Sequence, residues 1–322
     1  MRPPAFWQHD GPMARLLAPA GMAVAGLTAR RVSRPGWRAP VPVLCCGNAG
    51  VGGAGKTTVA LDLARRLVTR GVAVHCLTRG YDGRSRGVLR VDPALHDAGL
   101  VGDEPLLLAA VAPTWVAADR GASARAAVAA GAQALLMDDG LQNPTLVQDA
   151  ALLVVDGAAG FGNGRVMPAG PLRESVAAAA ARCRAAVLIG PDAAPGTANV
   201  RAALPPGLPV LAASLKPDTA LDGVRVLAFC GIARPSKFHD TLRQAGATLA
   251  ECMDFPDHHR FSGAELDHML ARAAALGAVP VTTPKDAVRL PGAVRSRVQV
   301  VGVSLLWDDP AALERLLAEV VP

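Results

Sequence analysis

The stretch that decides the fold runs from Val41 to Thr57 and reads VPVLCCGNAGVGGAGKT. Its first seven residues are apolar enough for a buried parallel strand, and its last eight match the pattern G-x-x-x-x-G-K-[ST]. A strand that leads through such a loop into a helix is the structural setting of a P-loop. We therefore predict that residues 50–57 hold the phosphates of a nucleotide.

Each residue type in this loop has a physical reason. Glycines allow a tight turn in which successive backbone N–H groups point at phosphate oxygens, and the following helix adds its positive N-terminal end. We expect Lys56 to reach the β- and γ-phosphates and the Thr57 hydroxyl to bind Mg²⁺. The predicted ATP-binding residues are Gly50, Val51, Gly52, Gly53, Ala54, Gly55, Lys56 and Thr57.

Around this loop the sequence alternates between strand-like and helix-like segments. Apolar runs suited to buried strands lie at 41–47, 72–78, 113–118, 133–138, 151–156 and 185–190. Helical candidates lie at 57–70, 104–111 and 121–131. The alternation predicts an α/β fold with a doubly wound parallel sheet of the P-loop NTPase type.

A second, smaller α/β unit is predicted toward the C-terminus. Residues 191–222 are rich in proline and are typical of a transition that contains a linker. Beyond them, strands are expected near 224–231, 279–283 and 297–303, and helices near 235–245, 262–276 and 309–319. The predicted domains are an N-terminal amphipathic helical arm (1–40), a P-loop core (41–220) and a smaller C-terminal α/β domain (221–322).

The net charge of +6 belongs mostly to the arm, which contributes +5 because six arginines there face the single acid Asp10. The arginines are Arg2, Arg15, Arg30, Arg31, Arg34 and Arg38. Aromatic residues make up only 3% of the chain, too few for a base-stacking platform. We therefore expect no nucleic-acid partner.

The arm also contains an uncharged run at residues 16–29. This run is short for a transmembrane span, which needs about 20 residues. A cleaved signal peptide has a similar apolar length, but the run leads into an ATP-type motif, whose chemistry belongs in the cytosol. Two interpretations stay open. One is an interfacial helix on an anionic membrane, favoured by the flanking arginines, Trp7 and Trp37, and the other is an ordinary core helix.

The six cysteines contain no C-x-x-C pair, and four of them lie in apolar, strand-like runs. Cys45, Cys46, Cys76 and Cys230 are those four. This pattern favours buried, reduced thiols in a cytosolic protein over disulfides or a metal site.

A pair of acids follows another predicted strand, in the sequence ALLMDDG from Ala134 to Gly140. Acids at the carboxyl end of a parallel strand lie in the crevice where such sheets bind ligands. Asp138 and Asp139 are therefore predicted to hold Mg²⁺, directly or through water. By itself the Asp-Gly pair also favours a simple polar turn.

Taken together, these motifs resemble one family, the tetraacyldisaccharide 4'-kinases, or lipid A 4'-kinases, of Gram-negative bacteria. The resemblance runs along nearly the whole chain. Besides the P-loop, the similar segments are 38–43, 47–48, 78–81, 102–105, 138–142, 161–164, 168–174, 257–259 and 283–287.

The resemblance implies ATP-dependent phosphorylation of the 4'-hydroxyl of an acylated disaccharide 1-phosphate lipid, at the cytoplasmic face of the inner membrane. It also implies that Asp103 is the catalytic base and is paired with His258, and it suggests Glu104 as an additional Mg²⁺ contact. From the residues alone, Asp103 and Glu104 indicate only the first turn of a helix, and His258 a polar loop. Arg79, Arg120 and Arg173 are further candidates for binding phosphate.

Three positions depart from the family pattern. Thr58 replaces a usual proline and fits the first helical turn equally well. Asp82 replaces an expected glycine, and aspartate adopts left-handed backbone geometry more readily than most residues. Residues 49–51 differ in the approach to the loop, where they affect contacts to the nucleotide.

Two other classes of protein share some of these features. Membrane-surface ATPase switches of the partitioning type carry a similar loop, but with a lysine where this chain has Val51. A noncatalytic membrane scaffold with an inactive P-loop is disfavoured because Lys56, Thr57, Asp138 and Asp139 are all present.

Overall fold

The computed structural model describes residues 4–190 and 196–321. Numbered along the chain, the strands are β1 Val43–Gly47, β2 Val74–Thr78, β3 Leu89–Arg90, β4 Thr114–Val116, β5 Ala134–Asp138, β6 Ala150–Asp156, β7 Ala185–Ile189, β8 Val210–Pro217, β9 Arg225–Cys230, β10 Thr248–Asp254, β11 Val279–Thr282, β12 Gln299–Val300 and β13 Val303–Trp307. After a 3₁₀ turn at Ala5–Gln8, the helices are α1 Pro12–Val32, α2 Lys56–Thr69, α3 Ala98–Val101, α4 Asp103–Ala109, α5 Arg120–Ala129, α6 Val176–Ala180, α7 Thr197–Ala203, α8 Pro235–Gln244, α9 Gly263–Ala275, α10 Pro284–Ala287, α11 Gly292–Arg295 and α12 Pro310–Val320.

In the described part of the chain, a large sheet contains nine strands in the order β13-β8-β7-β6-β1-β5-β2-β4-β3. Only β3 and β13, at its two edges, run antiparallel to their neighbours. Strands β1, β2, β5, β6 and β7 are buried along their full length, because their continuous apolar runs have helices or loops on both faces. The predicted α/β fold with a parallel core is confirmed.

The P-loop strand lies in the middle of this sheet, between β5 and β6. Its residue Cys46 is in register with Asp138 at the end of β5. Asp156 ends β6 on the other side. Acids from both neighbouring strands are thereby brought to the carboxyl edge of the sheet, beside the loop.

A small sheet, with all strands parallel, has the order β10-β9-β11-β12. The side chains of β9 alternate between its two faces. Val226 packs with α8 through Phe238, and Phe229 packs with α9 through Met269. This arrangement confirms the predicted strands near 224–231 and 279–283 and the predicted helices near 235–245 and 262–276, whereas the helix near 309–319 packs on the large sheet.

Strands β3, β8 and β10 have no counterpart among the predicted strands, and β13 overlaps the predicted strand 297–303 only at Val303. Strand β8 lies within the stretch 191–222 that is predicted to contain a linker, where its short apolar run at 210–213 stands among several prolines. Strand β10 is an edge strand with mostly partly exposed residues. Pro191 and Pro195, which contribute to the linker prediction, lie outside the described residues, as does Arg2 of the arm.

The last strand and helix lie on the large sheet. Strand β13 pairs with β8, and Leu313 and Leu317 of α12 pack in the same core as Leu63 of α2. Trp307 also donates a hydrogen bond from Nε1 to Asp62 at 2.9 Å. The predicted domain boundary between residues 220 and 221 stays a prediction. Within the segment assigned to the smaller domain, however, β13 is a strand of the large sheet and α12 packs against that sheet.

Helix α1 and the 3₁₀ turn before it are held against the loop at 161–173. The Trp7 indole donates to the Pro168 carbonyl at 3.1 Å, and the Thr28 hydroxyl donates to the Arg173 carbonyl at 3.2 Å. Among the described residues, no helix combines the length and the apolar character needed to cross a membrane. All six cysteines lie in the described part and are free, and the four predicted to be buried are buried.

Candidate active site

The P-loop follows directly from β1, and α2 begins at Lys56. Gly55 adopts a left-handed conformation with a φ of +88°, and a Cβ there would lie 2.7 Å from Cδ1 of Ile189. The backbone conformation therefore favours glycine, and a Cβ would in addition displace the end of the Ile189 side chain. At Gly52 and Gly53, by contrast, a Cβ would meet no described atom within 4 Å. The loop consequently borders open space, as a phosphate-binding site requires.

The two reactive side chains of the P-loop have polar partners. The Nζ atom of Lys56 lies 3.2 Å from Oδ1 of Asn48 and 3.6 Å from Oδ1 of Asp139. The Thr57 hydroxyl donates to Oδ2 of Asp138 at 3.0 Å. The structure thus brings the predicted P-loop residues and the predicted acid pair together.

Asp138 is almost completely buried, and its Oδ1 atom has no hydrogen-bond partner among the described residues. Burial, with the negative charges of Glu104 and Asp139, raises the pKa of Asp138 to about 7. A buried carboxylate with one unpaired oxygen, next to a threonine hydroxyl and a second acid, is a donor set of hard oxygens. These residues fit a divalent cation such as Mg²⁺.

Asp139 has different partners from Asp138. Arg173 forms a two-pronged ion pair with it, at 2.8 Å for Nη1–Oδ1 and 3.1 Å for Nη2–Oδ2. Burial opposes ionisation of Asp139, but Lys56 and Arg173 hold its pKa below the ordinary value. Asp139 is therefore a fixed anion that orients Arg173 and faces Lys56, so it is a weaker candidate than Asp138 for direct metal contact.

The segment that carries Arg173 is tied to the P-loop by its backbone. The amide of Val51 donates to the Pro171 carbonyl at 2.8 Å, and the amide of Arg173 donates to the Ala49 carbonyl at 2.7 Å. Gln142 donates to both the Asn48 carbonyl and Glu174. The sequence predicts no role for Gln142 or Glu174. Their places within the segments 138–142 and 168–174 are the only signal.

A second group of charges surrounds Asp103 at the start of α4. Oδ1 of Asp103 lies 3.3 Å from Nδ1 of His258, and Oδ2 accepts a hydrogen bond from Arg289. Asp286 holds Arg289 from the other side at 3.1 Å. The ring of Tyr81 lies 5.3 Å from that of His258. The structure therefore brings Asp103 and His258 together, as the resemblance implies. Asp103 begins α4 on the large-sheet side, and His258 lies in the loop that follows β10 of the small sheet.

The environment fixes the charges in this group. Burial favours the neutral acid, but the hydrogen bond from His258 and the charge of Arg289 hold the pKa of Asp103 well below its ordinary value. The same hydrogen bond with Asp103 raises the pKa of His258 above 6.5, against the effect of burial. Sequence reasoning missed Arg289 because arginine is abundant in this chain and no spacing links residue 289 to residue 103.

Glu104 connects the two groups. It forms an ion pair at 2.6 Å with Lys285 of α10, and its charge also acts on Asp138 at the P-loop. Lys285 is a further residue that sequence reasoning did not single out, although its segment 283–287 belongs to the resemblance. The acid that pairs with His258 and the acid whose charge acts on Asp138 are therefore adjacent residues at the start of α4.

The remaining predicted arginines differ in environment. Arg120 is buried, donates to the Ala117 carbonyl at 2.5 Å, and leaves its Nε atom without a partner among the described residues. Burial lowers the pKa of Arg120 to about 10, and the charges of Asp139 and Asp138 oppose that effect. Arg79 is exposed and lines a cavity of about 330 Å³.

The loop that follows Arg79 contains Asp82, the residue that replaces an expected glycine. Its φ is +62°, so it adopts the left-handed geometry that this position requires. The turn therefore forms without glycine.

Comparison with known proteins gives concordant results. The family model for tetraacyldisaccharide-1-P 4'-kinase (LpxK) matches residues 13–322. The chain is 60% identical to a tetraacyldisaccharide 4'-kinase of Gluconacetobacter diazotrophicus, with 98% of this chain and 97% of the relative aligned. It is 54% identical to one of Rhodospirillum centenum, with 99% and 96% aligned.

Among solved structures, the fold is similar to that of LpxK from Aquifex aeolicus in a crystal structure with ATP. The TM-score is 0.75 at 24% identity, and the alignment covers 96% of this chain and 100% of that one. At this identity the likeness shows the fold, which agrees with the P-loop architecture described above.

Proposed function

This chain belongs to the tetraacyldisaccharide-1-P 4'-kinase family, and we propose that its two groups of charged residues divide the work of phosphoryl transfer. The chain is an ATP-dependent 4'-kinase of lipid A biosynthesis. One group would hold the γ-phosphoryl group of ATP, and the other would orient the 4'-hydroxyl of tetraacyldisaccharide 1-phosphate. The observation that carries this division is the adjacency of Asp103, bonded to His258, and Glu104, whose charge acts on Asp138 at the P-loop.

The P-loop residues 50–57 would bind the phosphates of ATP. The backbone of the loop and the start of α2 present N–H groups, and Lys56 adds a charge aimed at the β- and γ-phosphates. The ion pair between Lys56 and Asp139 at 3.6 Å is loose enough for the ammonium group to move onto a phosphate. Arg173, held by Asp139, would remain beside it.

Mg²⁺ would be held chiefly by Thr57 and Asp138, with Glu104 and Asp139 nearby. The unpaired Oδ1 of Asp138 supports this assignment, because a buried carboxylate oxygen without a partner is costly unless a cation meets it. When bound, the ion would neutralise charge on the β- and γ-phosphate oxygens.

Asp103 would act on the acceptor as base, paired with His258. Because Arg289 and His258 keep its pKa low, Asp103 stays ionised and can accept a hydrogen bond from the 4'-hydroxyl at any physiological pH. Phosphoryl transfer passes through a loose transition state, so orientation of the hydroxyl matters more than early removal of its proton. The proton would reach Asp103 late in the step, with His258 balancing the charge.

Helix α1 would rest on the cytoplasmic face of the inner membrane, where the acylated acceptor resides. Its outward side carries the exposed apolar residues Met13, Leu16, Met22 and Leu27, and Arg30 and Arg31 lie in its last turn. Such a helix suits an anionic surface.

Trp7 and Trp37, the two tryptophans expected near the membrane, each also contact the protein. The Trp7 indole donates to Pro168, and Trp37 stacks with Arg125 at 4.7 Å. Both side chains are half-buried, so their expected place in the headgroup layer stays a prediction.

A transfer assay distinguishes the kinase from a membrane-surface ATPase switch. Purified protein, Mg²⁺ and ATP labelled in the γ-position are incubated with tetraacyldisaccharide 1-phosphate in detergent micelles. The kinase predicts label on the lipid, with most of it lost in Lys56→Ala and retained in the exposed control Lys216→Ala. Label released only as free phosphate by the wild-type protein would instead support the ATPase.

A further inference from the structure

Two cations at the start of helix α8, the N-cap residue Arg234 and Lys237 in the first turn, contact the P-loop side of the large sheet. Nη2 of Arg234 donates to the carbonyl oxygen of Gly53 at 2.7 Å. Arg234 and Lys237 both also donate to Oδ2 of Asp156, the last residue of β6. The small sheet therefore brings two positive charges to the loop that borders open space.

Asp156 is arranged to hold these cations with one of its oxygens. Its Oδ1 accepts hydrogen bonds from the amides of Ala158 and Ala159, at 3.0 and 3.2 Å, which fix the carboxylate in the turn after β6. Only Oδ2 faces Arg234 and Lys237. One carboxylate charge meets two positive charges, so the three side chains keep a net positive charge.

The two cations are partly exposed to solvent, whereas the acid that they share is not. The side chains of Arg234 and Lys237 are 33% and 35% exposed, whereas that of Asp156 is 4% exposed. Burial lowers the pKa of Lys237, and the charge of Asp156 opposes that effect. Beside them, Gly52 and Gly53 border space free of described side chains. An anionic group bound there would lie beside Arg234, which already contacts the Gly53 carbonyl, and Lys237 shares the carboxylate of Asp156 with it.

We propose that Arg234 and Lys237 bind the γ-phosphoryl group of the nucleotide, and that Asp156 holds the two side chains beside the P-loop until the nucleotide arrives. The proposal rests on the proposed function, because it assigns the pair to the phosphoryl group that the kinase transfers. Guanidinium and ammonium N–H groups donate to phosphate oxygens and oppose the negative charge on them during transfer. No covalent bond to the protein is formed.

The test compares the affinities of ATP and ADP for variants of these three residues. Dissociation constants are measured by calorimetry for Arg234→Ala, Lys237→Met and Asp156→Asn. Lys237→Met keeps the aliphatic stem packed, and the amide oxygen introduced by Asp156→Asn can still accept from the amides of the turn. The control is Arg243→Ala, which removes an exposed ion pair with Asp240 from the same helix.

We expect Arg234→Ala and Lys237→Met to weaken ATP binding by about ten-fold or more and ADP binding by no more than about two-fold. Asp156→Asn should leave ATP affinity unchanged or higher, because the cations lose the anion that competes with phosphate. If the two cation variants bind ATP as the wild type does, or if Asp156→Asn weakens ATP binding as much as they do, the three residues only bridge the sheets and the proposal is overturned.

Failure of this proposal can be told from failure of the kinase assignment. Lipid phosphorylation by the wild-type protein is measured in parallel. An active wild type whose cation variants keep full ATP affinity overturns the assignment of Arg234 and Lys237 alone. If the wild-type protein does not phosphorylate the lipid but the cation variants still lose affinity for ATP and not for ADP, the kinase assignment is overturned. The assignment of Arg234 and Lys237 to phosphate binding then remains.

Discussion

Asp103 of the large sheet's helix α4 and His258, in the loop after β10 of the small sheet, lie 3.3 Å apart between Oδ1 and Nδ1. Arg289, again from the small-sheet side, binds the other oxygen of Asp103. The side chain that is expected to orient the acceptor therefore depends on contacts from both halves of the molecule. Any weakening of these contacts should affect stability and catalysis together.

The pH dependence of stability should report the contact between Asp103 and His258. The pKa of His258 is raised in the folded protein, so its contribution to stability is full below about 6.5, the ordinary value, and is lost as the pH rises through the folded pKa. We expect the wild type to lose more unfolding free energy between pH 6 and pH 8 than His258→Gln does, as measured by denaturant titration. The exposed His268→Gln serves as control and should behave as the wild type; equal pH slopes for His258→Gln and the wild type would contradict the contact.

The acid pair should respond unequally to loss of charge. Asp138→Asn removes the carboxylate whose Oδ1 has no partner among the described residues, and we expect about ten-fold more Mg²⁺ to be needed for half-maximal rate. Asp139→Asn should change this Mg²⁺ requirement less, because both oxygens of Asp139 already bind Arg173. The measurement is the rate of lipid phosphorylation against free Mg²⁺. An equal or larger shift for Asp139→Asn would reverse the assignment of the metal ligand.

The glycines of the P-loop should differ in their tolerance of a methyl group. Gly55→Ala forces a left-handed alanine, at a cost of about 1–2 kcal/mol, and places its Cβ 2.7 Å from Ile189. We expect this variant to lose at least that much unfolding free energy. Gly53→Ala meets no neighbour within 4 Å and is the matched control for stability. Equal losses for the two variants in thermal or denaturant unfolding would show that the conformation at Gly55 is relaxed.

Membrane association should depend on the outward side of α1. We expect Leu16→Glu and Leu27→Glu each to lower binding to anionic lipid vesicles by at least about ten-fold, because a buried leucine contributes about 1.5–3 kcal/mol. Both residues are 70% exposed or more, so the fold should tolerate the change. Flotation with vesicles is the measurement. Leu306→Glu on β13, at a position 59% exposed, is the control, and an equal loss there would contradict a surface specific to α1.

The parts of the fold that can be predicted from the sequence are those marked by a continuous local pattern. The buried strands β1 and β5 have uninterrupted apolar runs, and the P-loop has fixed spacing, so both can be placed without a structure. Strand β8 escapes prediction because the prolines around its short apolar run indicate a linker, and β10 because an edge strand needs little apolar surface. The sequence spacing around β13 is compatible with either sheet, so it does not predict that this strand joins the large one.

In the candidate active site, too, local contacts can be predicted from the sequence and contacts between distant residues cannot. Asp138 ends a strand next to β1, and Thr57 opens the helix that follows β1, so local pattern is enough to bring them together. Arg289, Arg234 and Lys237 reach their partners across the contact between the two sheets, at sequence separations of 78 residues or more. Such contacts depend on how two folded units meet, and an arginine-rich sequence gives no local signal for them.

The most direct measurement is the rate of label transfer from ATP to tetraacyldisaccharide 1-phosphate by Asp103→Asn, together with its dissociation constant for ATP. If Asp103 orients the acceptor and accepts its proton, kcat should fall by about 10²–10⁴-fold while ATP affinity stays within about two-fold of the wild type. An Asp103→Asn protein that phosphorylates the lipid at the wild-type rate would contradict the account.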